Sequence, residues 1–424
     1  MNKRTIKFGI AVQFAIVIPT IIYLIYNSPI ALAAPSINKD PSLKVETLVN
    51  GLDTPTSMAF VDNNNILVLE KAGQVRLVSN GMLQDKPVLQ VPVDTESERG
   101  LLGIAIMNST KTSGTTINNN NRKYVFLYYT ESNGADLRNR VYRYDWDAQT
   151  KSLVNNSLIL DLPALPGPNH DGGKLIIGPD HYLYAVIGDL NHRGKLQNFI
   201  NGSNPDDTSV IFRVNPNDGS AAPDNPFINN PNIEMHKYYA YGMRNSFGIT
   251  FDPITGNLWQ TENGPDVYDE INVVKLGFNS GWIKVMGPLS RNTYVNIADQ
   301  LVNYPGSHYA DPVFSWKSPV AVTDIEFMKS SALGQKYKNN IFVGDYNNGN
   351  IYYFELNSTR TGIKPEAGLP GSLVVDNDDQ LSAVTFGTGF GAISDIKTGP
   401  TDGLLYVLSI NDGTIYKIVP SSTK

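Results

Sequence analysis

Cysteine is absent from all 424 residues. Its absence removes every disulfide, every thiolate nucleophile and every cysteine-ligated zinc or iron–sulfur centre. No such staple is needed, because a domain of about 390 residues buries ample apolar surface. Histidine is nearly as scarce, at five residues. Basic residues never cluster beyond the N-terminal tip and the formal net charge is −6, so the chain is not read as a nucleic-acid binder. Helical periodicity is also scarce after the first few turns' worth of sequence.

The N-terminus has a clear pattern. Met1-Asn2-Lys3-Arg4-Thr5-Ile6-Lys7 is basic, and Phe8 to Tyr26 is an apolar run of 19 residues broken only by Gln13, Pro19 and Thr20. Ala31-Leu32-Ala33-Ala34 follows, small residues of the kind a signal peptidase cuts. The order predicts a signal peptide over residues 1–33. Left uncleaved, the same run is long enough to anchor the chain in a membrane. Both readings place residues 34–424 outside the cytoplasm, secreted or anchored on the extracytoplasmic side.

Beyond the leader one unit recurs: a β-rich run, a Gly/Asn/Asp/Pro turn, and another β-rich run. Such units begin near residues 58, 124, 175, 249, 340 and 396. About 390 residues divided among six gives about 65 each, enough for four strands and their loops. We therefore expect an all-β chain folded as a six-bladed β-propeller. The strand Leu43–Val49 should pair with the C-terminal run near Thr414 to close the ring. The segments 190–207 and 281–318 are expected as walls of a central site.

Two constellations carry chemistry. Asn169-His170-Asp171-Gly172-Gly173-Lys174 puts a histidine in a glycine-rich turn, and the strand after next ends in Asp189. An imidazole can take a proton from a hydroxyl when an acid fixes its tautomer; equally, a turn histidine is an ordinary cap. Gly242-Met243-Arg244-Asn245 places an arginine in a second turn, as a charge stabiliser or a brace between blades. Glu262, Asp266, Asp269 and Glu270 crowd four carboxylates around Gly264-Pro265, either a hard-cation site suited to calcium or a solvated acidic loop.

These motifs, with Arg99-Gly-Leu-Leu-Gly-Ile-Ala and Gly281-Trp282, occur in an order that resembles the soluble glucose/sorbosone dehydrogenases. Those are PQQ-dependent aldose sugar dehydrogenases built as six-bladed propellers, and the resemblance spans about residues 45 to 418. It implies that His170 is the general base, that Asp189 orients it, and that Arg244 and Asn245 face the reactive quinone oxygens. It further implies that the Gly264 and Pro265 carbonyls hold a cofactor-bound calcium, with Asp269 and Glu270 as the acidic pair beside them. Trp316 is assigned with Arg244 and Asn245 to the cofactor-binding set. An aldose sugar would be the substrate, and an external acceptor would take the electrons.

The chain departs from that family where basic residues neutralise the cofactor's carboxylates. Gly344-Asp345-Tyr346-Asn347 stands in place of a lysine turn, and Ala392-Ile393-Ser394-Asp395 in place of an Arg-x-Arg-Asp run. Glu98 and Phe247 each replace a glutamine, and Lys317 or Arg291 could compensate from the long loop. Two other readings therefore stand: a non-catalytic extracellular glycan- or protein-binding propeller with a structural calcium, and a metal-dependent hydrolase such as a lactonase.

Overall fold

In the computed structural model, the described residues are 34–108, 122–134, 136–292, 297–366, 369, 371 and 373–421. The leader expected over residues 1–33 lies outside them. Among the described residues no helix is long and apolar enough to cross a membrane.

The fold is an all-β propeller whose strands form six sheets of four to six strands each. Sheet 1 runs Pro55–Phe60, Asn65–Glu70, Gln74–Ser79 and Met82–Leu83, with Leu89–Gln90 also paired to its third strand. Sheet 2 is the long meander Leu101–Asn108, Lys123–Asn133, Asp136–Asp147 and Ser152–Pro163. Sheet 3 comprises Leu175–Ile177, Leu183–Ile187, Val210–Val214 and Tyr238–Tyr241, extended by the short parallel strands Phe278–Asn279 and His308–Tyr309. Sheet 4 comprises Gly248–Phe251, Leu258–Glu262, Asp269–Val274 and Phe314–Trp316, with Val374–Val375 at its edge. Sheet 5 comprises Val322–Phe327, Ile341–Asp345, Ile351–Phe354 and Thr385–Thr388, with Ser36–Ile37 at its edge. Sheet 6 takes Ile393–Thr398, Leu405–Ser409 and Thr414–Pro420, and its last strand is Leu43–Val49 from the other end of the chain. That pairing is antiparallel from Leu43 opposite Pro420 to Val49 opposite Ile415, as the sequence predicts.

Apolar packing explains the arrangement. One buried cluster lies between each consecutive pair of sheets, and another joins sheet 6 to sheet 1. Each sheet therefore buries both faces, which is why central strands such as Leu183–Ile187 read as continuous apolar runs. Turn chemistry repeats as well. Asp180 and Asp402 each cap a Gly-Pro turn and each accept a bond from a tyrosine four residues on, Tyr184 at 2.9 Å and Tyr406 at 2.8 Å.

The first strands face the axis and are tied to one another. Thr56 Oγ1 donates to Leu101 O at 2.6 Å and Ser394 Oγ to Pro55 O at 2.8 Å, while Thr261 Oγ1, on the second strand of sheet 4, donates to Thr323 O at 2.6 Å. Gly103 is obligatory here, because a Cβ would lie 1.8 Å from the Gly173 carbonyl. Lys174 reaches across to Asp324 and Asp395, 2.8 Å from each, and Lys397 joins the same two carboxylates. Burial opposes ionisation of Asp395, yet the two lysines hold it well below the usual carboxylate range.

Four of the six expected unit starts fall on first strands. Those near 124 and 340 fall on second strands, because Leu101–Asn108 and Val322–Phe327 are the true first strands there. Val322–Phe327 carries the buried polar residues Thr323, Asp324 and Glu326, so its polar composition hides a strand.

Candidate active site

His170 sits in a left-handed turn conformation, φ 66°, followed by Gly172 and Gly173, which also have positive φ. The turn folds its ring inward, leaving 7% of the residue exposed. Nδ1 lies 2.5 Å from Asp189 Oδ1. Asp189 follows the strand Leu183–Ile187 through Gly188, where a Cβ would stand 2.5 Å from the carbonyls of both His170 and Arg244. Glycine at 188 is thus what lets the three segments meet. Asp189 Oδ1 also accepts from the Asn191 N–H at 2.8 Å, and Oδ2 accepts from Trp282 Nε1 at 2.6 Å. A carboxylate so placed requires the imidazole proton on Nδ1, leaving Nε2 with its lone pair free. Among the described residues, Nε2 has no hydrogen-bond partner.

Arg244 is the third member. Its carbonyl accepts from the Asp189 N–H at 2.8 Å, and its guanidinium lies 5.5 Å from the Trp282 ring centre. That guanidinium donates to the carbonyls of Asn263 at 3.2 Å and Gly264 at 3.0 Å. Asn245 Nδ2 donates to Glu98 Oε2 at 3.0 Å, and the same oxygen accepts the His170 N–H at 2.6 Å. Asn245 Oδ1 and Asn263 Oδ1 are buried without partners.

Several carboxyls nearby are buried. Burial pushes Asp171 up to about 7, against a bond from Asn139 that favours the anion. Glu262 and Glu270 face each other across sheet 4. Burial pushes Glu262 up to about 7 even though the Ser280 hydroxyl and the Arg244 N–H both donate to it. Glu270 is driven well above the usual range by burial and then by Glu262.

Beside these groups lies a cavity of about 480 Å³, within the range of small-molecule sites. Its walls include Lys71, Glu98, Phe247, Asn263, Thr323 and Tyr346. Ile393 and Ser394 line it too, so the sequence departures Glu98, Phe247, Tyr346 and Ile393-Ser394 converge on one chamber. The compensating cations suggested by the sequence lie elsewhere. Lys317 is exposed outside the cavity, and Arg291 pairs with Asp376 at 2.9 Å. Lys71 is the cation that sequence reasoning overlooked.

Two assignments need correction. Trp316 is 0% exposed and packs against Phe314, Tyr352 and Phe354 in the core between sheets 4 and 5, so it does not line the cavity. The segment Phe314–Trp316 forms a strand and buries its indole. The acidic pair is not arranged as metal ligands either. Asp269 accepts the backbone N–H of Gly264 at 2.9 Å, Val320 at 2.8 Å, Ala321 at 2.7 Å and Val322 at 3.3 Å, which makes it a brace between turns. Glu270 accepts from the Gly287 N–H at 2.5 Å and from Asn272 at 3.1 Å. Pro265 is exposed, and the Gly264 carbonyl already accepts from Arg244. Among the described residues no group of three or more His, Asp or Glu side chains is placed to hold a metal.

A family model described as Glucose / Sorbosone dehydrogenase matches residues 52–417. The chain belongs to the glucose/sorbosone dehydrogenase family. An aldose sugar dehydrogenase of Escherichia coli is 26% identical over 397 residues, covering 89% of this chain and 93% of that protein. Quinoprotein glucose dehydrogenase B of Acinetobacter calcoaceticus is 30% identical over 275 residues, 59% of this chain and 54% of its own length. The structure of the PQQ-bound aldose sugar dehydrogenase from Streptomyces coelicolor shares the fold, with a TM-score of 0.64 at 23% identity over 91% of this chain and 100% of that one. Within this glucose/sorbosone dehydrogenase chain, Trp282 was visible in sequence only as part of a motif. Its bond to Asp189 gives it a place in the site.

Proposed function

We propose that this chain is an exported quinoprotein that oxidises an aldose sugar to its lactone and passes the electrons to an external acceptor. In this reading the six sheets are the six blades of the propeller, and the leader carries the chain out of the cytoplasm or anchors it there. The observation that carries the proposal is the 2.5 Å contact between His170 Nδ1 and Asp189, held by Trp282 beside the cavity.

PQQ fits the chamber in three respects. The volume of about 480 Å³ accommodates a planar tricyclic ligand. The Arg244 guanidinium bonds the carbonyl of the wall residue Asn263, whose buried Oδ1 lacks a partner. Lys71 and the unpartnered Thr323 hydroxyl lie on the walls. A calcium ion at the Gly264–Pro265 turn would have to share the Gly264 carbonyl with the Arg244 guanidinium, and Asp269 and Glu270 are already engaged by other donors.

His170 Nε2 takes the proton of the sugar's anomeric hydroxyl as C1 gives up its hydride, so that the C1–O single bond becomes the lactone carbonyl. PQQ, when bound, supplies the two-electron acceptor for that hydride. Asp189 stabilises the imidazolium that forms, and Trp282 and the Asn191 N–H keep Asp189 facing the ring. Such a base contributes about 10²–10⁴-fold. Arg244 places fixed positive charge where negative charge grows, a contribution on the order of several kcal/mol in a water-poor site.

The test is dye reduction by the purified chain with PQQ, calcium and a panel of aldoses. Sugar-dependent reduction that requires PQQ is expected, and its absence with every sugar rejects the proposal. A non-catalytic glycan- or protein-binding propeller is favoured by one observation, that Tyr346, Ile393 and Ser394 occupy the wall where a basic clamp is expected. Thermal stabilisation by glycans and none by PQQ would support that second reading.

A further inference from the structure

We infer that Lys71 is the cation that holds the carboxylate end of an anionic ligand in this cavity, standing in for the basic residues missing from the 344–347 and 392–395 loops. The inference rests on the PQQ reading above. Lys71 follows the second strand of sheet 1 and lines the chamber. Its backbone is fixed at both groups: the N–H donates to Thr54 O at 3.1 Å and the carbonyl accepts from the Leu101 N–H at 3.0 Å.

Gly100 makes room for its stem. At φ 150°, a Cβ on residue 100 would stand 2.7 Å from Lys71 Cγ and 2.8 Å from the Lys71 carbonyl. The ammonium donates to Thr95 O at 3.0 Å and Ser97 O at 2.6 Å. An ammonium has three N–H groups, so one remains for a ligand. Among the described residues no carboxylate forms an ion pair with Lys71. Lys174, the other lysine on the wall, is neutralised by Asp324 and Asp395.

Lys71 is therefore the wall's uncompensated positive charge, held by two neutral carbonyls. Glu98 supplies the wall's negative charge, with Oε2 engaged by His170 and Asn245. With Glu98 so engaged, the Lys71 ammonium is the charged group on the wall with a free N–H to offer a carboxylate. Tyr346, half-exposed on the same wall, adds a hydroxyl donor.

The experiment titrates PQQ, with calcium present, into the parent chain and into Lys71→Gln, Lys71→Arg and Lys317→Gln, following quinone absorbance and the melting temperature. Removing one charge-assisted bond should weaken binding by Lys71→Gln roughly tenfold or more, with a shallower salt dependence. Lys71→Arg and Lys317→Gln should bind like the parent. The trimethyl ester of PQQ, which lacks the charges, should bind the parent and Lys71→Gln alike. Equal PQQ affinity in parent and Lys71→Gln overturns the role of Lys71 and leaves the cofactor reading standing. An equal loss for the ester overturns it too, since the effect would then be one of packing. Failure of the parent chain to bind PQQ overturns the cofactor reading, and this inference with it.

Discussion

Replacing Asp189 by asparagine changes one atom and should disable the base. Asp189 accepts three donors, from His170 Nδ1, Trp282 Nε1 and the Asn191 N–H, at 2.5, 2.6 and 2.8 Å. An asparagine has one acceptor oxygen. If its oxygen faces Trp282, its amide N–H faces His170 Nδ1 and drives the imidazole proton to Nε2, where a base must be empty. If the oxygen faces His170, two N–H groups confront each other at Trp282. One charge-assisted bond lost inside the fold costs about 1.5–3 kcal/mol. The catalytic loss should approach the whole contribution of the base, about 10²–10⁴-fold in kcat. The assay is dye-linked sugar oxidation at saturating PQQ and calcium, with PQQ affinity and melting temperature measured on the same sample. Unchanged PQQ affinity with kcat down at least a hundredfold is expected. A folded Asp189→Asn variant turning over within a few-fold of the parent would show that this carboxylate does not set the histidine's tautomer.

Trp282→Phe removes the donor to Asp189 Oδ2 and weakens the ring beneath Arg244; kcat should fall about tenfold with a small change in melting temperature, as expected of one lost charge-assisted bond. Gly188→Ala forces a Cβ to 2.5 Å from two carbonyls and should cost both stability and turnover, read by thermal unfolding and the dye assay. Burial pushes the Glu262 carboxyl from its ordinary value of 4.5 up to about 7. A raised carboxyl gives stability that is complete below the unfolded value and is lost as pH rises through the folded one. The parent chain should therefore lose stability between about pH 4.5 and 7, by an amount on the order of 3 kcal/mol from this group at most. Glu262→Gln should flatten that profile in chemical denaturation; an unchanged slope would remove Glu262 as its source.

The repeat was legible because central strands are buried on both faces and spell out apolar runs between Gly-Pro-x-Asp and Asp-Gly turns. Val322–Phe327 was not legible as a first strand, since an axis-facing strand carries polar residues that read as a loop. His170, Asp189 and Arg244 announced themselves through glycine-bounded turns, and the structure brings all three together around Gly188. Trp316 was placed with the cofactor-binding residues, whereas its strand buries it between sheets 4 and 5. The acidic turn misled for a related reason: spacing cannot distinguish carboxylates that face a cation from carboxylates that cap backbone N–H groups, and Asp269 caps four. Lys71 lay outside every motif, and only the fold brings it to the cavity wall.

The central claim is that one imidazole, fixed by Asp189, removes the sugar's hydroxyl proton beside a bound quinone. The direct measurement is a single turnover: load the parent and His170→Ala with PQQ and calcium, add sugar, and follow the quinone absorbance. The account predicts that both proteins bind PQQ, that the parent's absorbance bleaches on adding sugar, and that the variant's bleaches at least a hundredfold more slowly. Bleaching at the same rate in both would contradict it.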